Sequence, residues 1–174
     1  RTRTVKLRAA TRSSALARWQ TDHVAALLRA SDPSIIVEMV LVETAGDRNR
    51  TAPLHELGGQ GIFSAEVQEA LLDGRADIAV HSAKDLPSRT ADALVLAAVP
   101  FRGDARDALV GLPLDALENV ATIATGSVRR RAQLAALRPD LRFTDLRGNI
   151  QTRLTKVPDG GAIVMAFAAL ERLG

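Results

Sequence analysis

The 174 residues include no cysteine and no tyrosine, with only one tryptophan and four phenylalanines. Without a thiol the chain offers no disulfide, no thiolate metal site and no cysteine nucleophile. Its histidines, His23, His55 and His81, do not stand at metal-ligand spacing, so no metal site is expected. Aromatics at 3% leave few platforms for stacking bases and the net charge is only +3, so a nucleic-acid partner is not expected. No apolar run reaches the ~18 residues of a membrane span. The basic start has no apolar stretch behind it that would read as a targeting segment. The sequence pI of about 10.1 follows from the same absences. With neither Tyr nor Cys, little titrates between His and Lys, and a small cationic excess carries the pI far up. The first residue is Arg rather than Met, so the chain is not expected to be a complete translation product.

What is present suits a folded α/β chain. The sequence is 47% apolar and 25% charged, enough for a core and contrary to wholesale disorder. Period-two and β-branched runs predict strands at 5–10, 35–42, 76–80, 94–99, 120–124, 141–146 and 162–166. Helices are expected after Ser13 or Ser14 as N-cap, with Leu16, Trp19, Val24, Leu27 and Leu28 on the apolar face, and at 63–72, 127–137, 149–156 and from 168. The polar, glycine-rich stretch 43–61 predicts a mobile loop. A polar crossing near 100–107 divides the chain into domain 1 (1–100) and domain 2 (101–174). Strand and helix alternate, which argues a mainly parallel sheet in each. The halves echo one another: Thr11-Arg12-Ser13-Ser14 and Thr125-Gly126-Ser127 each open a helix after a strand, and Asp73-Gly74 and Asp159-Gly160 each lead into one. Two like domains facing across a ligand cleft would satisfy that echo.

Of 23 basic residues, 20 are Arg and 3 are Lys. Composition alone explains this as readily as a need for guanidinium forks does. Position says more. Arginines and hydroxyls recur at three strand-to-helix turns: Thr11–Ser14, Thr125–Arg131, and Leu146–Asn149 with Thr152 and Arg153. Exposed N–H groups at a helix start, joined by hydroxyls and Arg, make an anion site for carboxylate or phosphate. Capping hydroxyls and solvated arginines are the plainer reading of each turn taken alone. The segment His81-Ser82-Ala83-Lys84-Asp85-Leu86-Pro87 follows an apolar strand and delivers Lys84 and Asp85 to its carboxyl end. Proton-transfer work and a mere surface turn closed by Pro87 both fit those residues. His81 reads as a packed or hydrogen-bonded structural residue, and Trp19 as core. Gly58-Gly59-Gln60-Gly61 lacks dinucleotide spacing, and no Walker sequence occurs.

These segments resemble the porphobilinogen deaminase (hydroxymethylbilane synthase) family. The likeness rests on Ala10–Gln20, on Gly58-Gly59-Gln60-Gly61-Ile62-Phe63, on Ala76–Pro87 and on Asp104-Ala105-Arg106-Asp107-Ala108. It continues through Ser127–Leu134, Leu146-Arg147-Gly148-Asn149 and Thr152-Arg153-Leu154. They span nearly the whole chain in family order. The resemblance implies an α/β fold of two periplasmic-binding-protein-like domains (type II) around a cleft, with the family's third α+β domain absent from this chain. It implies a transferase that joins four porphobilinogen molecules head to tail, with release of ammonia, to give hydroxymethylbilane for porphyrin and haem biosynthesis. It implies a covalent dipyrromethane cofactor, whose attachment cysteine this chain does not contain. By the same resemblance Asp85 is the catalytic acid, protonating the departing amine and stabilising positive charge on pyrrole nitrogens. Lys84, Thr125, Ser127, Arg129, Arg130, Arg147 and Gly148 would bind cofactor. Arg12, Ser14, Gln20, Asn149, Arg153 and Arg172 would bind the acetate and propionate arms of substrate. The enzyme is expected to be a monomer, cytoplasmic if bacterial and organellar if eukaryotic.

Three departures accompany the likeness. The family's return segment and third domain lie past Gly174, so these residues alone are expected to be inactive. Gly126 stands where a second hydroxyl is common. The stretch 158–162 is shorter than the family's and lacks an Asp before the strand. The competing reading is a non-catalytic, periplasmic-binding-protein-like carboxylate-binding module, which needs the arginines but not Asp85.

Overall fold

The computed structural model describes residues 4–48 and 64–174, so the expected loop and the Gly58–Phe63 motif lie largely outside the described residues. The chain divides into two compact units, Arg1–Phe101 and Arg102–Gly174.

In the first unit, β1 (Val5–Arg12) leads through Ser13-Ser14 into α1 (Ala15–Ser31), followed by β2 (Ile35–Val42), the short α2 (Ala45–Arg48), α3 (Ala65–Leu72) and β3 (Ile78–Ala79). The sheet order is β2-β1-β3, all parallel, with Val5 beside Ile35 and Arg12 beside Val42. Parallel pairing places the ends of β1 and β3 on one edge, where the segment after each begins. The core is built of small side chains: Ala10, Val42, Val67, Ala70 and Ala76. Helix α1 buries Thr21 and Ala25, four residues apart, while Leu27 is exposed and Trp19 only half-buried, stacked on His23 with centroids 5.2 Å apart. Of the expected apolar positions, Leu16, Trp19, Val24 and Leu28 are half-buried and Leu27 is exposed, while full burial falls to Thr21 and Ala25. Helix α3 ends at Asp73, followed by Gly74 at φ 75°, a left-handed stop that glycine takes without steric cost.

The expected strand over 94–99 is absent. Leu94 N–H donates to Ala91 O in a local turn, and Val95, Leu96, Val99 and Phe101 are exposed. A β pattern needs a partner edge to satisfy its backbone, and the described residues supply none there.

The second unit runs β4 (Asp107–Gly111), β5 (Thr122–Ala124), α4 (Val128–Leu137), β6 (Arg142–Thr144), α5 (Ile150–Leu154), β7 (Ala162–Ala166) and α6 (Phe167–Glu171). Its sheet order is β4-β7-β5-β6, with β5, β6 and β7 parallel and β4 antiparallel on β7. Strand β4 begins within the stretch read as a polar crossing. Strand β7 is buried on both faces: Ala162 and Val164 join Leu117, Ile123 and Leu141, while Ile163 and Met165 join Ala124 and Leu146. This is the continuous apolar run of a central strand. Strand β5 starts two residues later than expected, after Val120 at φ 59°, a conformation that ends the extended run.

Candidate anion-binding site

The first unit carries a pocket lined by Arg12, Ser14, Leu16, Ala17, Gln20, Val80, His81, Ser82 and Asp85. Local chemistry builds each wall. Ser14, extended at ψ 146°, caps α1 by accepting from Ala17 N–H at 3.3 Å. The buried hydroxyls of Thr11 and Thr21 both donate to Ala17 O, at 3.3 and 3.0 Å, and fasten the end of β1 to the first turn of α1. That holds Arg12 and Ser14 at the sheet edge. On the other wall, Ala83–Asp85 form one 3-10 turn closed by Asp85 N–H to Ser82 O at 2.9 Å. Pro87 forces Leu86 into extended geometry (ψ 143°), so the turn cannot grow into a helix. Asp85 is left half-buried in the pocket and Lys84 exposed beside it. The walls are tied by Gln20, whose Nε2 donates to Ser82 Oγ at 2.9 Å and whose Oε1 lies 3.2 Å from the same hydroxyl.

His81 is half-buried in this pocket, and its Nε2 is closed off from solvent with no hydrogen-bond partner. It is therefore packed, as expected, but not satisfied. Burial pushes its pKa below the ordinary histidine range, opposed by Asp85 and assisted by Arg12.

In the second unit, the turns after β5 and β6 share one sheet edge, because those strands are parallel. Thr125, nearly fully buried, accepts from Ser127 N–H at 3.2 Å, and Ser127 Oγ caps α4 by accepting from Arg130 N–H at 3.4 Å. Gly126 lies where an added Cβ would stand 2.8 Å from Leu146 O, so the two turns approach too closely for a side chain without adjustment. Gly148 takes φ 120° against Thr152. Asn149 caps α5 through Oδ1, which accepts from Thr152 N–H and Oγ1–H, both at 2.9 Å. Arg153 Nε donates to Gly148 O at 2.7 Å, and Arg147 is half-buried on the same turn. Arg129 is exposed. Arg130 is engaged instead: it grips Asp107 at 2.9 and 2.6 Å and reaches Val164 O at 3.4 Å, pinning α4 to the sheet. Arg172 stands at the far end of α6 against Gly103, away from the start of that helix.

Within the first unit the fold thus gathers Arg12, Ser14, Gln20 and Asp85 into one pocket, whose lining does not include the exposed Lys84. Within the second it gathers Thr125, Ser127, Arg129, Arg130, Arg147, Gly148 and Asn149 at one edge, with Arg153 bonded to it. Sequence reasoning missed Ser82 as a pocket group and Asp107 as the partner of Arg130. A hydroxyl directly after His81 was the available signal for the first; nothing local signals the second. Among the described residues no His/Cys/Asp/Glu cluster could hold a metal ion, and no helix is long and apolar enough to cross a membrane.

Mixed α/β units whose strand-to-helix turns present caps, arginines and one half-buried carboxylate offer groups that suit anions. Comparison with known proteins gives the family. The model described as "Porphobilinogen deaminase, dipyromethane cofactor binding domain" matches residues 7–174, and the chain belongs to that family. It is 47% identical over 174 residues to the porphobilinogen deaminase of Nitratidesulfovibrio vulgaris, covering 97% of this chain and 55% of that protein. It is 50% identical over 173 residues to that of Xanthomonas oryzae pv. oryzae (97% and 57%) and 46% identical over 173 to that of Sulfurimonas denitrificans (97% and 55%). The chain therefore spans about half the length of the curated relatives it matches.

Proposed function

We propose that this chain is part of a transferase that polymerises four porphobilinogen molecules head to tail, releasing ammonia at each step and yielding hydroxymethylbilane. The observation that carries the reading is the pocket in which Asp85 lies among Arg12, Ser14, Gln20 and Ser82. Each coupling breaks the carbon–nitrogen bond of an aminomethyl group, forms a carbon–carbon bond to the α-carbon of a neighbouring pyrrole, and releases that carbon's proton. Asp85 is the acid that serves the departing amine, and its carboxylate faces the cationic character that develops on pyrrole nitrogen. Arg12, Ser14 and Gln20 hold acetate and propionate arms in the first unit. Asn149, Arg153 and Arg172 do so in the second. An arginine fork suits a carboxylate better than a point charge does.

The dipyrromethane cofactor is a tetracarboxylate, and the edge built from Thr125, Ser127, Arg129, Arg147 and Gly148 fits it in kind: helix-start N–H groups, hydroxyls and guanidinium groups. When bound, that group supplies the pyrrole carbon to which the first substrate unit is joined. Lys84 is proposed as a further cofactor-binding residue, and Arg130 would act from the position its pair with Asp107 sets. Its covalent attachment requires a residue outside these 174, since the chain has no cysteine. The periplasmic-binding-protein-like, type II character of the two units, a monomeric state and a cytoplasmic location belong to the same proposal.

Replacing Asp85 with Asn in the full-length protein is expected to lower ammonia release from porphobilinogen by about 100-fold or more, the range for loss of a positioned acid, with the denaturation midpoint unchanged. Near-normal turnover would remove Asp85 from its role and favour a carboxylate-binding module.

A further inference from the structure

Two polar groups in the first-unit pocket stand open. His81 Nε2 is enclosed by protein and makes no hydrogen bond. The Asp85 carboxylate, four residues on, makes none among the described residues. The other polar walls are committed: Gln20 and Ser82 to each other, and Ser14 Oγ to Ala17 N–H. An imidazole nitrogen buried without a partner is costly, and an atom shut off from water is not reachable by ligand as the pocket stands. The lining of the same pocket offers it a partner. Asp85 is the anionic acceptor there.

We propose that His81 is a positioning residue for Asp85: in the working pocket its Nε2–H donates to the Asp85 carboxylate and holds it toward substrate. The inference rests on the function proposed above. Burial and Arg12 disfavour the protonated ring, and Asp85 opposes them. A neutral ring carries one N–H, and placed on Nε2 it is the donor a carboxylate accepts from. His81 and Asp85 both line the pocket, Asp85 as the last residue of the 3-10 turn that begins at Ala83.

The test uses the full-length protein carrying H81L or H81Q, with kcat and KM for porphobilinogen measured separately. Loss of a hydrogen bond to a charged group predicts a kcat about 10- to 100-fold lower in H81L, with KM little changed. H81Q, which keeps a donor of similar reach, recovers part of that loss. A wild-type kcat in H81L overturns the proposal, as does an equal loss in both variants. Should H81L not fold, 15N spectra of histidine-labelled wild type and D85N with porphobilinogen decide the point. The His81 Nε2 signal moves between them if the bond exists, and an unmoved signal overturns the proposal. Wild-type protein that releases no ammonia from porphobilinogen would instead refute the function itself. Active wild type with a silent His81 refutes only this inference.

Discussion

Asp77 shows how much one side chain can settle in a short sheet. Strand β3 pairs with β1 over only two residues, Ala9 with Ile78 and Ala10 with Ala79. Asp77 extends that contact: its carboxylate accepts from Arg8 N–H at 2.8 Å, Nε at 3.1 Å and Nη2 at 2.8 Å, while its own N–H donates to Arg8 O. The Arg8 bonds hold its pKa at about 2, below the ordinary 3.8. A carboxyl whose folded pKa lies below its unfolded value stabilises the fold fully above the unfolded value and loses that contribution as pH falls toward the folded one. Asp77 therefore contributes above about pH 4 and loses its effect down to about pH 2. D77N is expected to lower the denaturation midpoint at neutral pH and to flatten its decline over that acid range. An unchanged acid limb would contradict this. In the second unit the comparable position before β7 is Gly161, where an added Cβ would stand 2.1 Å from Thr122 O. A side chain there would require the backbone around Thr122 to shift.

At the scale of elements, each unit presents helix starts at the edge of its own sheet. Ser14, Ser127 and Asn149 each cap a helix directly after a strand, and each cap keeps its helix-start N–H groups at a sheet edge. Replacing Ser127 with Ala is expected to lower stability by roughly 1 kcal/mol, whereas S127D, which preserves a capping acceptor, should retain most of it. Urea denaturation of the two variants would test this, and equal stabilities would mean the cap contributes nothing. These caps were legible in the sequence because a cap is a contact across three residues. Strand 35–42 and strand 162–166 were legible for a related reason: long β-branched or wholly apolar runs leave little choice. Strand β4 and the loss of strand 94–99 were not. An edge strand exists only where a neighbour offers its backbone, and that neighbour is fifty or more residues away in the case of β4 on β7. On α1 the sequence marks the apolar positions, but which residues are fully buried, Thr21 and Ala25, is set by how closely the helix meets its neighbours.

At the scale of the whole molecule, the chain is about half of the relatives it matches. The proposed function therefore makes a prediction about the remainder. The intact mass of the full-length protein should exceed that of its sequence by one covalent dipyrromethane, carried on a cysteine outside these residues. A mass equal to the bare sequence, in a preparation that turns over porphobilinogen, would refute covalent attachment. The family model covers residues 7–174, so the likeness is a property of the chain and not of one motif. The sequence by itself determined the class of fold, the turns that cap helices, the placing of Asp85 between an apolar strand and Pro87, and the family. All of these depend on neighbours a few residues apart. Only the tertiary structure decided that Arg130 is held by Asp107, that Gln20 reaches Ser82, and that His81 Nε2 is enclosed without a partner. The first two join groups more than twenty residues apart and the third depends on burial, and neither a long-range contact nor an enclosure leaves a trace in local spacing.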